Sequence, residues 1–270
     1  MAAGENRIEI EKKILHEGEI NRARYMPQKY SIIATKTTSG EVHVFDYLQH
    51  PATPVSHDQI RPEVKLIGHT AEGYGLSWSN HKEGYLLSSA NDSKVCLWNI
   101  EGTETASAIV KPLNEFKFHN GPIQDVAWHN FNHDLFASVG DDRKIALWDL
   151  RKPGGPSQDI SGHAAEVNSI DFNPFDEYLF ITGSSDKTVA FWDLRNMSKS
   201  LHIFEGHVDD VLKVEWEPNN STVFASCSSD RRVRVWDISK IGQEQKAEDA
   251  VDGPPELMVT KLEFLLILII

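Results

Sequence analysis

The chain repeats one pattern of four residue types at fixed offsets. A histidine is followed 23 positions later by an aspartate and 6 positions after that by a tryptophan, and a serine or threonine precedes each aspartate by four. The four copies are His69, Ser88, Asp92 and Trp98; His119, Ser138, Asp142 and Trp148; His163, Thr182, Asp186 and Trp192; and His207, Ser226, Asp230 and Trp236. Their histidines lie 50, 44 and 44 residues apart, while the internal offsets stay constant. A constant frame of this length predicts a repeat protein, in which each unit covers its neighbour.

A fifth and weaker copy precedes these four. His16, Tyr25, Thr35 and Phe45 occupy the expected offsets, and Ser39 stands where the aspartate would be. We therefore expect a repeat region over residues 1-257, anchored at His16, His69, His119, His163 and His207, followed by a divergent apolar tail over residues 258-270.

Short alternating or β-branched runs lie between the markers, such as Lys144–Trp148 and Arg232–Trp236, and turn residues separate them. Each unit is predicted to form about four short antiparallel strands. A histidine in the loop before the first strand can bond an aspartate in the turn between the second and third, with the hydroxyl and indole groups completing the chain. The predicted fold is all-β, and each four-stranded unit is expected to stack against its neighbours, because it cannot bury both faces alone.

The motif resembles the WD-repeat signature, in which Gly-His, Ser/Thr, Asp and Trp-Asp recur at these offsets, and the resemblance implies a β-propeller. Two copies depart from it, since Trp98 precedes Asn99 and His119 lacks a preceding glycine. The recurring His, Ser and Asp are interpreted as structural, because a catalytic triad would not be copied four times. No phosphate-loop, hydrolase or zinc-protease motif is present, so we expect no enzyme, cofactor or metal site.

Charge and cysteine content narrow the choice of partners. The 40 acidic residues against 27 basic ones give a formal net charge of −13, which argues against direct nucleic-acid binding and favours basic partners. The two cysteines, Cys96 and Cys227, cannot form a disulfide framework, as expected in the cytosol or nucleus.

The amino terminus lacks the apolar run of a signal peptide, and Leu262–Ile270 is too short to cross a bilayer.

Segments outside the frame resemble the retinoblastoma-binding, histone-binding WD-repeat proteins of chromatin assembly, deacetylase, remodelling and Polycomb complexes. The matching segments are Asn21–Gln28, Glu72–Trp78, Ala165–Asn168, Ser185–Asn196, Asp237–Gly242 and Asp252–Leu257. The resemblance implies a nuclear, non-enzymatic adaptor that binds core histones and the subunits of chromatin complexes. It also implies a ring of seven blades, of which five are recognisable here. The alternative is a ring that closes with five blades, since propellers of four to eight blades exist.

Three positions after each frame histidine stands a column that is mostly acidic: Glu19, Glu72, Pro122, Glu166 and Asp210. A ring of carboxylates around an opening would attract a Lys/Arg-rich peptide, and the alternative is a set of ordinary solvated loop acids. Two positions later come Asn21, Tyr74, Gln124, Asn168 and Leu212. By resemblance, the histone-tail site is expected at Glu19, Asn21, Arg22, Glu72, Tyr74 and Asn168; Gln124 and Leu212 depart from the acidic and aromatic residues of the family.

Two further sites are implied by resemblance. An acidic Pro-Pro loop that grips a histone helix in the family matches Glu248, Asp249, Asp252, Pro254 and Pro255, although the helix and first blade that complete that pocket are missing here. The Trp-Asp-x-Arg sequences ending at Arg151 and Arg195 are similar to those of substrate receptors that dock on the adaptor of cullin ubiquitin ligases. The alternative is that both arginines are exposed strand-end cations.

The carboxyl end departs from the family, because Met258–Ile270 does not begin another Gly-His unit. An incomplete ring would expose strand edges. Leu265–Ile270 is expected either to pair as a makeshift strand or to have no function, and the second interpretation is favoured.

Overall fold

The structure is a computed structural model that describes residues 10–53, 60–103, 108–246 and 253–262. In these residues, twenty-one strands form five β-sheets that follow the repeat frame. Each sheet is one blade. The described residues contain two 3-10 helices, Tyr47–Gln49 and Ile238–Lys240, and no α-helix. The prediction of an all-β propeller with about four strands per unit is confirmed.

The blades follow one another along the chain, and within each blade the strands run antiparallel in sequence order. The first blade contains β1 (Ile20–Met26), β2 (Lys29–Thr37), β3 (Val42–Asp46) and β4 (Val64–Leu66). The second contains β5 (Leu76–Trp78), β6 (Tyr85–Ser89), β7 (Lys94–Asn99) and β9 (Asn114–Lys117). The third contains β10 (Ile123–Trp128), β11 (Leu135–Gly140), β12 (Lys144–Asp149) and β13 (Gln158–Ser161). The fourth contains β14 (Val167–Phe172), β15 (Leu179–Ser184), β16 (Val189–Asp193) and β17 (His202–Phe204). The fifth contains β18 (Val211–Trp216), β19 (Val223–Ser228), β20 (Arg232–Asp237) and β21 (Leu257–Leu262).

The longer first spacing between the strong repeats has a structural cause. Fourteen residues separate Asn99 from Asn114, against eight between Asp149 and Gln158. The longer connection contains β8 (Ala108–Val110), which leaves its own blade and pairs parallel with β4 of the first blade. The first sheet therefore has a fifth strand that comes from the second repeat.

Four hydrophobic clusters fill the four junctions between consecutive blades. Trp78 and Val44 meet in the first cluster, Trp128 and Val95 in the second, Phe172 and Ile145 in the third, and Trp216 and Val189 in the fourth. In each case residues of the third strand of one blade pack against an aromatic residue at the end of the first strand of the next. The core thus lies between the blades, as in a propeller whose sheets are each covered by a neighbour.

The boundary expected after Leu257 is wrong. β21 pairs antiparallel with β20 from Leu257 opposite Trp236 to Leu262 opposite Arg232, so Met258 to Leu262 belong to the fifth blade. An outermost strand is held mainly by backbone hydrogen bonds, and a sequence without repeat markers can supply these. Residues 263–270, which include the rest of the expected tail, lie outside the described residues.

Candidate functional site

The four tetrads predicted from the repeat frame are each brought together at one end of a blade. The histidine Nδ1 lies 3.1, 2.8, 2.9 and 2.9 Å from the aspartate in the order of the chain. Its Nε2 lies 2.8, 2.8, 2.7 and 2.8 Å from the serine or threonine oxygen. The tryptophan Nε1–H donates to the same oxygen at 2.8, 2.9, 2.9 and 2.9 Å. Every polar group is satisfied when the hydroxyl donates to Nε2 and Nδ1–H donates to the carboxylate.

The aspartate also organises its own turn. Asp92 accepts from the N–H of Thr70 and from the N–H of Lys94, and the other three aspartates do the same. The residue after each aspartate has a positive φ between 61° and 74°, which a side-chain hydrogen bond across the turn helps to hold. Burial alone would raise the pKa of Asp92, but hydrogen bonds from His69 and Thr70 outweigh it and hold the pKa well below its usual range.

The glycine before the histidine is explained by the tryptophan. A Cβ at Gly68 would lie 2.9 Å from the Trp98 ring, and one at Gly162 would collide with the Trp192 ring. The third blade has Phe118 in this position, and its ring packs edge-on to Trp148 with centroids 6.2 Å apart. The phenylalanine that replaces glycine in this repeat is therefore accommodated by an aromatic contact with the tryptophan.

The weak first copy keeps half of the network. His16 Nε2 lies 2.8 Å from Thr35 Oγ1, as in the other blades. Ser39 bonds Thr37 instead of the histidine, whose Nδ1 lies 3.3 Å from the carbonyl of Gly18. The first blade forms without the aspartate link.

These contacts give the recurring His, Ser and Asp a structural role. Ser88 and Ser138 are fully buried, and the imidazoles of His69 and His119 have no exposed side-chain surface. A nucleophile needs access to substrate, which this burial denies.

A charged cluster crosses the propeller axis. Asp125 on β10, which is 1% exposed, accepts from Arg22 of the first blade at 3.0 Å and from Lys213 of the fifth at 2.7 Å. Ser169 Oγ of the fourth blade donates to it at 3.0 Å. All four stand six positions after a frame histidine, and sequence reasoning missed them because their residue types differ. Their shared position, six residues after a frame histidine, is the sequence feature from which this cluster could have been predicted. Arg22, predicted to contact peptide, is engaged here.

A cavity of about 520 Å³, the upper cavity, is lined by the beginnings of the first strands of the blades, just after the loops that carry the frame histidines. We call this side of the ring the His face. All five residues of the second predicted column line the cavity: Asn21, Tyr74, Gln124, Asn168 and Leu212. Tyr74 and Leu212 are 43% and 42% exposed, so their side chains are available to a ligand. The opposite wall belongs to the fifth blade and includes Ala225, Cys227 and Val233.

Hydrogen bonds fix the amides of this column. Asn21 Nδ2 donates to Glu72 Oε2 and to the carbonyl of Gly73, both at 3.3 Å. Asn168 Nδ2 donates to the carbonyl of Val211 at 2.9 Å. Both contacts join neighbouring blades and use the amide N–H groups, and both residues line the cavity.

The acidic column lies two residues earlier in the same loops. Glu19 and Glu166 are exposed, and Glu72 and Asp210 are half-buried. Pro122 interrupts the column in the third blade. The His face therefore combines carboxylates around the opening with amides and an exposed aromatic ring inside it.

A second cavity of about 250 Å³ lies deeper along the axis and is lined in part by Arg24, Asp171 and Glu215. Desolvation in this narrow space raises the pKa of Asp171 to about 7, although Lys213 and the backbone N–H of Trp216, which donates at 2.7 Å, act to lower it. Asp171 therefore changes its charge near neutral pH.

We expect Asp171→Asn to stabilise the protein more at pH 8 than at pH 5. The folded pKa exceeds the unfolded value of about 3.9, so the protonated carboxyl stabilises the fold at low pH, and this contribution disappears as pH rises through about 7. Asparagine keeps an acceptor for Trp216 and removes the charge. Urea unfolding at both pH values should show a difference of at least about 1 kcal/mol, the equivalent of one pKa unit. Asp176→Asn, exposed in the same blade, is the matched control; equal shifts for both variants would contradict the assignment.

Arg151 and Arg195 lie on the opposite face, just after the third strands of two adjacent blades. Their side chains are 63% and 65% exposed, and each bonds the aspartate two residues before it, Asp149 and Asp193. The Arg195 guanidinium also lies 4.5 Å from the centre of the Tyr178 ring. Both cations are thus exposed and held in defined orientations.

The Pro-Pro loop is described only in part. Glu248, Asp249 and Asp252 lie outside the described residues, whereas Pro254 and Pro255 are half-buried and precede β21. Next to them, the buried Glu256 lies 3.0 Å from His202 Nε2 of the fourth blade.

In the part of the chain that the structure describes, no cluster of three metal-ligating side chains occurs. Nor does that part contain a helix of the length and apolarity that a bilayer span needs.

Comparison with protein families identifies WD40 repeats in this chain. The model described as "WD domain, G-beta repeat" matches residues 110–149, 154–193 and 198–237, each ending at the Trp-Asp pair of a tetrad. Together with the four-stranded antiparallel blades, this match identifies the fold as a WD-repeat β-propeller and supports a protein of the WD-repeat family. WD40 propellers mediate protein-protein interactions and are typically non-catalytic scaffolds.

Proposed function

We propose that this protein is a histone-binding adaptor of nuclear chromatin complexes, and that it binds the basic amino-terminal tail of a core histone on the His face. One observation carries the proposal. Residues that the sequence frame places five positions after each histidine converge on a single cavity, and four carboxylates occupy the loops that lead into it.

The chemistry of the cavity fits an extended basic peptide. The amide oxygens of Asn21 and Asn168 can accept from a peptide backbone or a lysine ammonium group, and the exposed Tyr74 ring offers a face to a cation or an apolar side chain. The carboxylates of Glu19, Glu72 and Glu166 would speed association and select against acidic peptides. Arg22 also lines this cavity, where its guanidinium pairs with Asp125.

We expect a fluorescent histone-tail peptide to bind the purified chain saturably, with affinity that falls as salt increases, since salt screens exposed charges. Glu19→Lys/Glu72→Lys should weaken binding at least about tenfold, or about 1.4 kcal/mol. Fluorescence anisotropy across a salt series measures both effects, and size-exclusion chromatography of each sample checks the folded state.

Arg151→Glu/Arg195→Glu is the matched control, because it also changes two charges but on the opposite face. It should leave peptide affinity within about twofold of the original. A shuffled peptide of equal charge that bound as tightly, or absence of binding at any salt, would overturn the proposal.

A second candidate role is that of substrate receptor for a cullin ubiquitin ligase. The observation that favours it is the pair of exposed, oriented guanidinium groups of Arg151 and Arg195 on adjacent blades. The same Arg151→Glu/Arg195→Glu variant separates the roles, since it should lose capture of the ligase adaptor while histone-tail binding persists. The two roles use opposite faces and do not exclude each other.

A further inference from the structure

The upper cavity has two unlike sides. The first four blades line it with side-chain amides and the Tyr74 ring, and the fifth blade contributes an apolar wall. This wall, which we call the apolar wall, consists of Leu212, Ala225, Cys227 and Val233. Leu212 and Val233 are 42% and 36% exposed, so the wall offers apolar surface to a ligand.

The repeat frame shows that this wall is unusual. Val233 lies on the third strand of the fifth blade, 26 positions after its frame histidine. Its equivalents Val95, Ile145 and Val189 are 0% exposed, and they lie in the clusters between consecutive blades. Val233 borders the upper cavity. The surface that packs against the next blade elsewhere in the ring is here open to the cavity.

The charge of the lining changes with depth. The first strands begin at the His face, so the offset of a residue from its frame histidine measures its depth. Carboxylates stand at offset three, around the opening. Arg22 and Lys213 stand at offset six, and Arg24 and Glu215 stand at offset eight. The deep part of the lining thus carries three cations and one carboxylate, and Asp125 beside it accepts from two of the cations.

This order of charges decides which side chain of a ligand can enter. A lysine or arginine would lose water in the deep part and meet cations there, so its charge is better placed at the carboxylates of the opening. An aliphatic side chain gains free energy when it leaves water for the apolar wall. A cavity of about 150 Å³ holds a benzene-sized ligand, so the 520 Å³ of the upper cavity is sufficient for such a side chain.

We propose that the upper cavity selects a basic peptide in which an aliphatic residue stands between two basic ones. The aliphatic side chain lies against Leu212, Cys227 and Val233, and the flanking charges lie at the carboxylates of the opening. Adjacent side chains of an extended peptide point to opposite sides, so the neighbours of the inserted residue point outward. The inference rests on the peptide-binding role proposed for the His face, and it adds that positive charge alone is insufficient.

Three fluorescent peptides test this selection. All are rich in lysine, and they differ only at the central residue, which is leucine, serine or glutamate. We expect the leucine peptide to bind at least about tenfold more tightly than the serine peptide, as measured by fluorescence anisotropy, because burial of its side chain is favourable.

Val233→Asp should reduce this preference for leucine to less than about threefold, because it places a carboxylate in the apolar wall. Ile203→Asp is the matched control, since Ile203 is 47% exposed on β17, the outermost strand of the fourth blade. The control variant should keep the preference of the original protein.

Cys227 provides a second measurement, which needs no variant. It lies in the apolar wall, whereas Cys96 is fully buried between the first two blades. Saturating leucine peptide should slow the modification of Cys227 by a maleimide at least about tenfold, and saturating serine peptide should slow it less than about threefold. Mass spectrometry assigns the modified site. Cys96 should stay unmodified throughout, which shows that the blades remain folded.

The outcomes separate this inference from the proposed function. Equal affinity for the leucine and serine peptides, with saturable binding of both, would contradict the inference and leave the peptide-binding role standing. Tighter binding of the glutamate peptide would replace the aliphatic residue with an acidic one, paired with Arg22, Arg24 and Lys213. Failure of every peptide to bind, the histone tail included, would overturn the peptide-binding role and the inference with it.

Discussion

Trp192→Ala is expected to lower the free energy of unfolding by about 3–5 kcal/mol, the range for removing a buried tryptophan. Trp192 is 2% exposed, stacks on Phe180 at a centroid distance of 6.1 Å, and lies in the cluster between the third and fourth blades. It also donates to Thr182 at 2.9 Å. The substitution removes packing on both blades and one hydrogen bond of a tetrad.

Trp192→Phe separates these contributions. It keeps an aromatic ring against Phe180 and removes the indole N–H, while Thr182 retains its contact with His163. The loss should then be about 1–3 kcal/mol. Urea unfolding followed by circular dichroism measures both variants. A loss for phenylalanine equal to that for alanine would show that the hydrogen bond, and not packing, dominates.

Asp125→Ala is expected to destabilise the protein by about 3–5 kcal/mol, because it leaves Arg22 and Lys213 without their shared partner at the axis. The carboxylate is 2% exposed and joins the first, third and fifth blades. Asp125→Asn keeps the size of the side chain and an acceptor for Ser169, and removes only the charge. The difference in unfolding free energy between the two variants therefore separates the contribution of side-chain shape from that of charge.

The charge effect has a defined pH dependence. Burial alone would raise the pKa of Asp125, but Lys213 and Arg22 outweigh it and lower the pKa. A lowered folded pKa gives a contribution that is present above the unfolded value of about 3.9 and is lost as pH falls through the folded pKa. The stability gap between the original protein and Asp125→Asn should therefore narrow as the pH falls from 6 to 3. A gap that stays constant would rule out the ion pairs as its source.

The tetrads were predictable because their residue types recur. His163, Thr182, Asp186 and Trp192 are recognisable as a unit only because three other copies share their offsets. The axial cluster occupies an equally regular column, but its members must differ in charge to attract one another across the ring. A hydrogen-bond network inside one blade is revealed when the same residue types recur in every repeat. An ion-pair cluster between blades instead requires different residue types at the same repeat position.

Edge strands were less predictable for another reason. β8 and β21 are held by backbone pairing at the sides of sheets, which places few demands on their side chains. The alternation of Val233 and Val235 predicted a strand, but alternation cannot say whether its second face is covered. Burial of that face depends on which other element packs against it, and the strand's own residues do not encode that element.

The parallel pairing of β8 with β4 couples the local unfolding of the first two blades. Within the described residues this is the one strand pairing that joins a segment of one repeat to the sheet of another. The first blade cannot lose its outer strands without also freeing the connection between β7 and β9 of the second. At the other described junctions no strands pair between blades, and the second and third blades are joined by a backbone hydrogen bond from the Ile123 N–H to the Ala90 carbonyl at 3.2 Å. The first two blades therefore form a single cooperative unit, and local unfolding should proceed in steps of unequal size along a chain whose repeats look equal.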